Sequence, residues 1–176
     1  MPADPHRARV VTLAFLRHGD ALLLIRHPDT SPRFAGQWNG IGGHVEAGEG
    51  VRAAALRELR EEAGVDPCEL RLRVVIHESG LQGEAWLVFV FAGEAPTRAL
   101  RPAPGHEVAW HPLSALPRPL VHDVEILLPH VWAVGDPVFL TESYDGGDGR
   151  LALEVDAPAD GADRERRRPS ARGEHA

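Results

Sequence analysis

Three glutamates, Glu58, Glu61 and Glu62, stand at i, i+3 and i+4 within the run Arg57-Glu58-Leu59-Arg60-Glu61-Glu62. On a helix, at about 100° per residue, the three fall on one face. Like charges at this spacing destabilise a bare helix. A hard, oxygen-preferring cation such as Mg²⁺ or Mn²⁺ relieves the repulsion. An ion held this way suits phosphate chemistry, because it neutralises phosphate oxygens and lowers the pKa of a water. The plain alternative is a solvated acidic face with Arg57 and Arg60 as ion-pair partners.

The elements that must position these residues can be read around them. Glu49 to Ala63 is dense in Ala, Leu, Glu and Arg and is expected to form one helix. Gly64 stands where a C-terminal cap belongs, and Gly42-Gly43 give a flexible entry. Leu56, Leu59 and Ala63 share a neighbouring face that can bury against a sheet. Strands are expected at Val10–Leu16, Ala21–Ile25, Leu70–His77, Ala85–Ala92 and Glu107–Trp110, and their near-continuous apolar runs suggest cover on both faces. Prolines and glycine make His27–Asn39 a loop, and 93–106 a second one. Pro112–Pro117 reads as a short helical turn. His122–Val131 reads as a second helix, with Val124, Leu127, Leu128 and Val131 at helical spacing and Pro129 marking a bend or early stop. Val138–Thr141 and Leu151–Val155 are expected to pair as a final hairpin.

The 176 residues suit one domain with a real core. A net charge of −7 argues against general affinity for nucleic acid or anionic membrane, yet allows a phosphorylated small substrate where a metal inverts the local field. Cys68 is the sole cysteine, so no internal disulfide forms, which fits a reducing cytoplasm. No apolar run approaches the ~18 residues of a membrane span, and the N-terminus lacks the apolar core of a signal peptide. The chain has no lysine, which excludes a catalytic one. Residues 1–8 are expected to fray, 9–156 to form the domain and 157–176 to be a disordered tail. The tail's cluster at Arg164–Arg168 lies among acids and reads as solvated rather than as a nucleic-acid contact.

The whole pattern is Gly43, five residues, Glu49, seven residues, then Arg57-Glu58-Leu59-Arg60-Glu61-Glu62-Ala63-Gly64-Val65. Without gap or substitution, it resembles the Nudix box of the Nudix hydrolases. The resemblance covers about residues 9–156 and is sharpest from Trp38 to Val65. It implies an α/β fold, the α/β/α sandwich with a mixed sheet between helices. It also implies hydrolysis of a nucleoside diphosphate linked to another group, with Mg²⁺ as cofactor and Mn²⁺ as a substitute. Carried over, Glu58, Glu61 and Glu62 hold the metal, with the Gly42 carbonyl as a further ligand. Arg57 and Glu49 are the structural pair that fixes loop against helix. The base is Glu58 or Glu107, and Glu107 reads either as an extra ligand or base or as an exposed loop carboxylate.

Substrate choice lies outside the box. Trp38-Asn39-Gly40-Ile41-Gly42-Gly43 resembles the segment before the box in family members that clear oxidised purine nucleoside triphosphates. By that resemblance Asn39 contacts a purine edge; the alternative is a turn-forming asparagine. Those members also open the late helix with Trp-x-Asp-Asp, whereas Leu120–Val124 keeps one aspartate. Asp123 therefore either reads a base or caps its helix. Arg26 and Phe34 are expected to line the same pocket. The proline or tyrosine that marks ADP-ribose and dinucleoside polyphosphate branches is absent. The expected reaction converts a purine or oxidised purine nucleoside triphosphate to its monophosphate and pyrophosphate. Two alternatives stand: action on another nucleoside diphosphate derivative such as ADP-ribose, and a non-catalytic nucleotide-binding module. The expected partner is a small nucleotide, with no stable nucleic-acid complex and no membrane, for a monomer or homodimer.

Overall fold

The computed structural model describes residues 7–67, 69–147 and 149–156. Cys68 and the Arg-bearing tail at 157–176 lie outside them, as do the first six residues of the segment expected to fray. Ala8 is not frayed, because β1 (Ala8–His18) begins with it.

The other strands are β2 (Ala21–Arg26), β3 (Trp38–Asn39), β4 (Glu69–Leu81), β5 (Glu84–Glu94), β6 (Glu107–Pro112), β7 (Val138–Tyr144) and β8 (Arg150–Asp156). They form one mixed sheet in the order β3-β2-β1-β5-β4-β7-β8, with β6 also on β2. The β1–β5 and β4–β7 pairs are parallel and the rest antiparallel. β6 pairs with all of β2, from Ala21↔Pro112 to Arg26↔Glu107, so β1 and β3 share the opposite edge of β2.

Alternation along the inner strands divides their side chains between two cores. Phe15, Leu22, Leu24 and Ile76 pack with Val124, Leu127 and Val131 of helix α2 (His122–Val131). Leu16, Leu23 and Ile25 point the other way and pack on Ala55, Leu59 and Ala63 of the box. Each such fully buried aliphatic chain contributes ~2 kcal/mol. A helix therefore covers each face of the sheet, which is the expected α/β/α sandwich.

The box itself departs from the single helix expected over Glu49–Ala63. Helix α1 spans Val51–Glu58 and passes directly into a π-helical turn at Leu59–Ala63. Gly50 is the extended N-cap residue, and Glu49 lies before it in a turn closed by its N–H to the Glu46 carbonyl at 3.0 Å. The Glu49 side chain is drawn to Arg57 and does not cap the helix. Leu56 is only partly buried, while Leu59 and Ala63 are fully so. Gly64 closes the element in the left-handed region (φ 66°), where its N–H reaches the Arg60 carbonyl and that of Val65 reaches Leu59.

One smaller expectation fails. Pro112–Pro117 forms only a turn, closed by Ala115 N–H to the Pro112 carbonyl, since its flanking prolines cannot continue a helix ladder. Of the bend or early stop expected at Pro129, the stop does not occur, since α2 runs on to Val131. β4 runs past His77 to Leu81 and so carries Glu78 into the sheet.

Candidate active site

Arg57 organises the box. Its Nε and Nη2 donate to the two Glu49 oxygens at 3.0 and 3.1 Å, and Nη2 also reaches the His44 carbonyl at 3.1 Å. Its Nη1 donates to Glu58 at 2.8 Å and to Glu61 at 3.0 Å. One guanidinium thus ties the loop before the helix to the acidic face. Those hydrogen bonds, with one from the Glu46 N–H, hold the Glu49 carboxyl below its usual range and push Arg57 up.

Glycine is required where the pre-box segment passes between β1 and α1. A Cβ on Gly43 would collide with the Glu58 carboxylate, and one on Gly42 with the Thr12 carbonyl. Ile41 and Gly43 hydrogen-bond to β1 through Ala14 and Thr12. The carbonyl of Gly42, which lies between them, therefore faces the opposite way, towards the cleft that Gly42 lines. Glu62 lines the same cleft, and its Oε2 is buried with no hydrogen-bond partner among the described residues. Burial, then the neighbouring Glu58 and Glu61, raise the Glu62 carboxyl to about 7, against a smaller opposing pull from the Gly42 N–H. His106, which the sequence did not single out, sits with Nδ1 3.9 Å from Glu62.

The cleft holds about 630 Å³ and runs from this end, between β1, β4 and β5, to the start of α2. Asn39, Arg26, Phe34 and Asp123 all line it. Asn39 lies in β3, and its Oδ1 accepts from the adjacent Gly40 N–H at 2.8 Å. Arg26 is already engaged, at 2.7 Å by Asp29 and 3.3 Å by Glu107. Phe34 tilts against His27 and lies under the Arg33 guanidinium. Asp123 is not the helix cap: Val121 holds that position, and the Asp123 carboxylate instead meets His122 Nε2 at 2.6 Å and Arg150 at 3.5 Å. Glu107 does not line the cleft; its side chain is 59% exposed and faces Arg26.

Further groups gather at the α2 end without a sequence signal. Glu78 on β4 lines the cleft, Arg33 Nη2 lies 3.8 Å from it, and Glu142 on β7 is its partner in register. Glu142 accepts from Tyr144 Oη at 2.6 Å and from Arg150 at 3.3 Å. Among the described residues, only His122, Asp123 and Glu142 bring three metal-type ligand atoms within 4.8 Å of one another. Arg150 already supplies the cation there.

The residues at the Gly42 end fit a hard divalent cation on chemistry. Every donor is oxygen, and a buried carboxylate oxygen lacks a partner. Glu62, the Gly42 carbonyl and Glu58 are the groups that could hold it.

A family model described as the NUDIX domain matches residues 5–131. The chain belongs to the Nudix hydrolase family. The human 8-oxo-dGDP phosphatase NUDT18 is 34% identical over 134 residues, covering 70% of this chain and 40% of the human protein. The nucleoside triphosphatase NudI of Salmonella arizonae is 31% identical over 93 residues, covering 48% of this chain and 66% of that protein. The chain thus spans less than two thirds of either relative. Among solved structures, a MutT Nudix hydrolase from Burkholderia pseudomallei superposes with a TM-score of 0.62 at 32% identity, over 72% of this chain and 99% of that one. The match ends at Val131, so β7 and β8, which carry Glu142 and Arg150, lie beyond the family model. Among the described residues no helix is long and apolar enough to cross a membrane.

Proposed function

We propose that this Nudix chain is a Mg²⁺-dependent pyrophosphohydrolase that cleaves a purine nucleoside triphosphate to its monophosphate and pyrophosphate. The observation that carries the reading is the partnerless Glu62 Oε2 at one end of a cleft large enough for a nucleotide. A divalent ion bound there neutralises phosphate oxygens and makes a water acidic enough to attack phosphorus. The chain's own residues do the rest. Glu62, Glu58 and the Gly42 carbonyl hold the ion, and Glu61 stands behind them on Arg57. Arg57 and Glu49 fix the loop so that Gly42 and Glu62 keep one geometry, which limits reorganisation at the moment of reaction. The apolar walls, Val11, Leu13, Ile76 and Val88, suit a base, and the Asn39 amide can offer it donors.

The relatives support a nucleotide substrate, since one is named for an oxidised guanine nucleoside diphosphate and another for nucleoside triphosphates. We place the protein among soluble, cytoplasmic enzymes of nucleotide pools, with no nucleic-acid partner. The test is a phosphate and pyrophosphate release screen over nucleoside di- and triphosphates, oxidised purines and ADP-ribose, with Mg²⁺, with Mn²⁺ and with chelator. Turnover of a purine triphosphate that chelator abolishes is the expected result. Tight nucleotide binding without any turnover would make the chain a binding module instead.

A further inference from the structure

Glu78 is a second poorly satisfied carboxyl in the cleft, at the end away from Glu62. Its side chain is 6% exposed, and it accepts no hydrogen bond among the described residues. Its one ion pair is with Arg33, at 3.8 Å, beyond hydrogen-bonding length. Its surroundings add to the difficulty. Across β7 its register partner is Glu142, and Asp123 faces it from α2 alongside His122. Asp123 and Glu142 have their own partners in His122, Tyr144 and Arg150, so Glu78 alone is left over. On the other side, its β5 register partner is Trp86, whose indole Nε1 is buried and also without a partner. Both residues line the cleft. A buried carboxyl without hydrogen bonds is costly to keep unless something else satisfies it.

The chemistry of that missing partner can be specified. An ionised carboxylate only accepts, and its two oxygens take two parallel N–H bonds. The neighbouring indole only donates. Together they complement an edge with two adjacent N–H donors beside a carbonyl. We propose that Glu78 is the base-selecting residue of this cleft and that it takes a guanine-type base, whose ring N–H and 2-amino group lie side by side. The inference rests on the hydrolase reading of the same cleft, with the phosphates at the Glu62 end. Glu78 is a specificity residue there and takes no part in phosphorus chemistry.

GTP and ITP differ only in the 2-amino group and so isolate one of the two donors. The wild-type chain is expected to favour GTP over ITP by about tenfold in kcat/KM, within the range for one bidentate carboxyl–base pair. Glu78→Gln should bring that ratio close to one. A wild-type ratio near one, or a Glu78→Gln variant that keeps the wild-type ratio, overturns the proposal. The wild-type ratio decides even where the variant fails to fold. If no nucleotide is hydrolysed, the hydrolase reading fails separately. GMP and IMP titrated into the metal-free chain then decide the base: tighter GMP binding upholds Glu78, and equal or absent binding overturns it.

Discussion

At the Gly42 end of the cleft, Glu49, Arg57, Glu58, Glu61 and Glu62 come from one stretch of chain, and a single guanidinium binds three of the four carboxylates. At the α2 end, Glu78, Asp123 and Glu142 come from β4, α2 and β7, and their cations come from a loop, a helix and β8. In the first cluster one buried oxygen, Glu62 Oε2, has no partner among the described residues. In the second, Asp123 and Glu142 are paired, while Glu78 has Arg33 at 3.8 Å. On the function proposed above, the first end would set which bond breaks and the second which molecule enters.

The sharpest way to break that division is at Glu62. Glu62→Gln should lower kcat by ~10²- to 10³-fold, the range for losing one preorganised electrostatic contact. The loss should be the same for every nucleotide, because the residue meets only what all substrates share. Steady-state kinetics over the nucleotide panel reads this directly. A variant that changes the ranking of substrates would merge the two ends into one.

A smaller loss is expected behind the site. Arg57→Gln and Glu49→Gln should each lower activity by ~10- to 100-fold, as for residues that orient metal ligands. Because the two act as one unit, the double variant should be little worse than either single one. A multiplicative loss, measured as kcat/KM at saturating Mg²⁺, would show that they work separately.

The same division explains what could be read before the fold was known. The box is contiguous, so its register appears in the chain as spacing, and the apolar periodicity of His122–Val131 matches α2 end to end. What spacing cannot show is the pairing of distant strands. Glu78 stood one residue past the expected end of its strand, beside a Ser-Gly that looks like a turn. Only the parallel pairing of β4 with β7 sets it against Glu142. Arg150 follows a glycine-rich turn and gains meaning only when the last hairpin places it by Asp123. Glu107 is open in the sequence between a ligand or base and an exposed loop carboxylate; the fold makes it the first residue of β6, exposed and facing Arg26. The π-helical turn, too, has no mark in a composition that favours any helix.

The smallest effect concerns stability, and it treats the two ends as a matched pair. Glu62 and Glu78 are both raised to about 7, in each case mainly by burial. A carboxyl whose folded value lies above its unfolded value binds more protons folded than unfolded between the two. Stability therefore falls as pH rises from about 4.5 to about 7, and the deficit persists above that. Removing the charge should remove the deficit. In the metal-free protein, Glu78→Gln and Glu62→Gln should each raise stability at pH 8 by ~2 kcal/mol, about 4–8 °C in Tm for a chain of this size, and by little at pH 5. Mg²⁺ then separates them. It should stabilise the wild-type chain at pH 8 by binding ionised Glu62, so the advantage of Glu62→Gln disappears while that of Glu78→Gln remains. Thermal melts at both pH values, with and without Mg²⁺, measure all four arms. If Mg²⁺ erased the Glu78→Gln advantage instead, the ion would sit at the α2 end and the assignment of the two ends would be reversed.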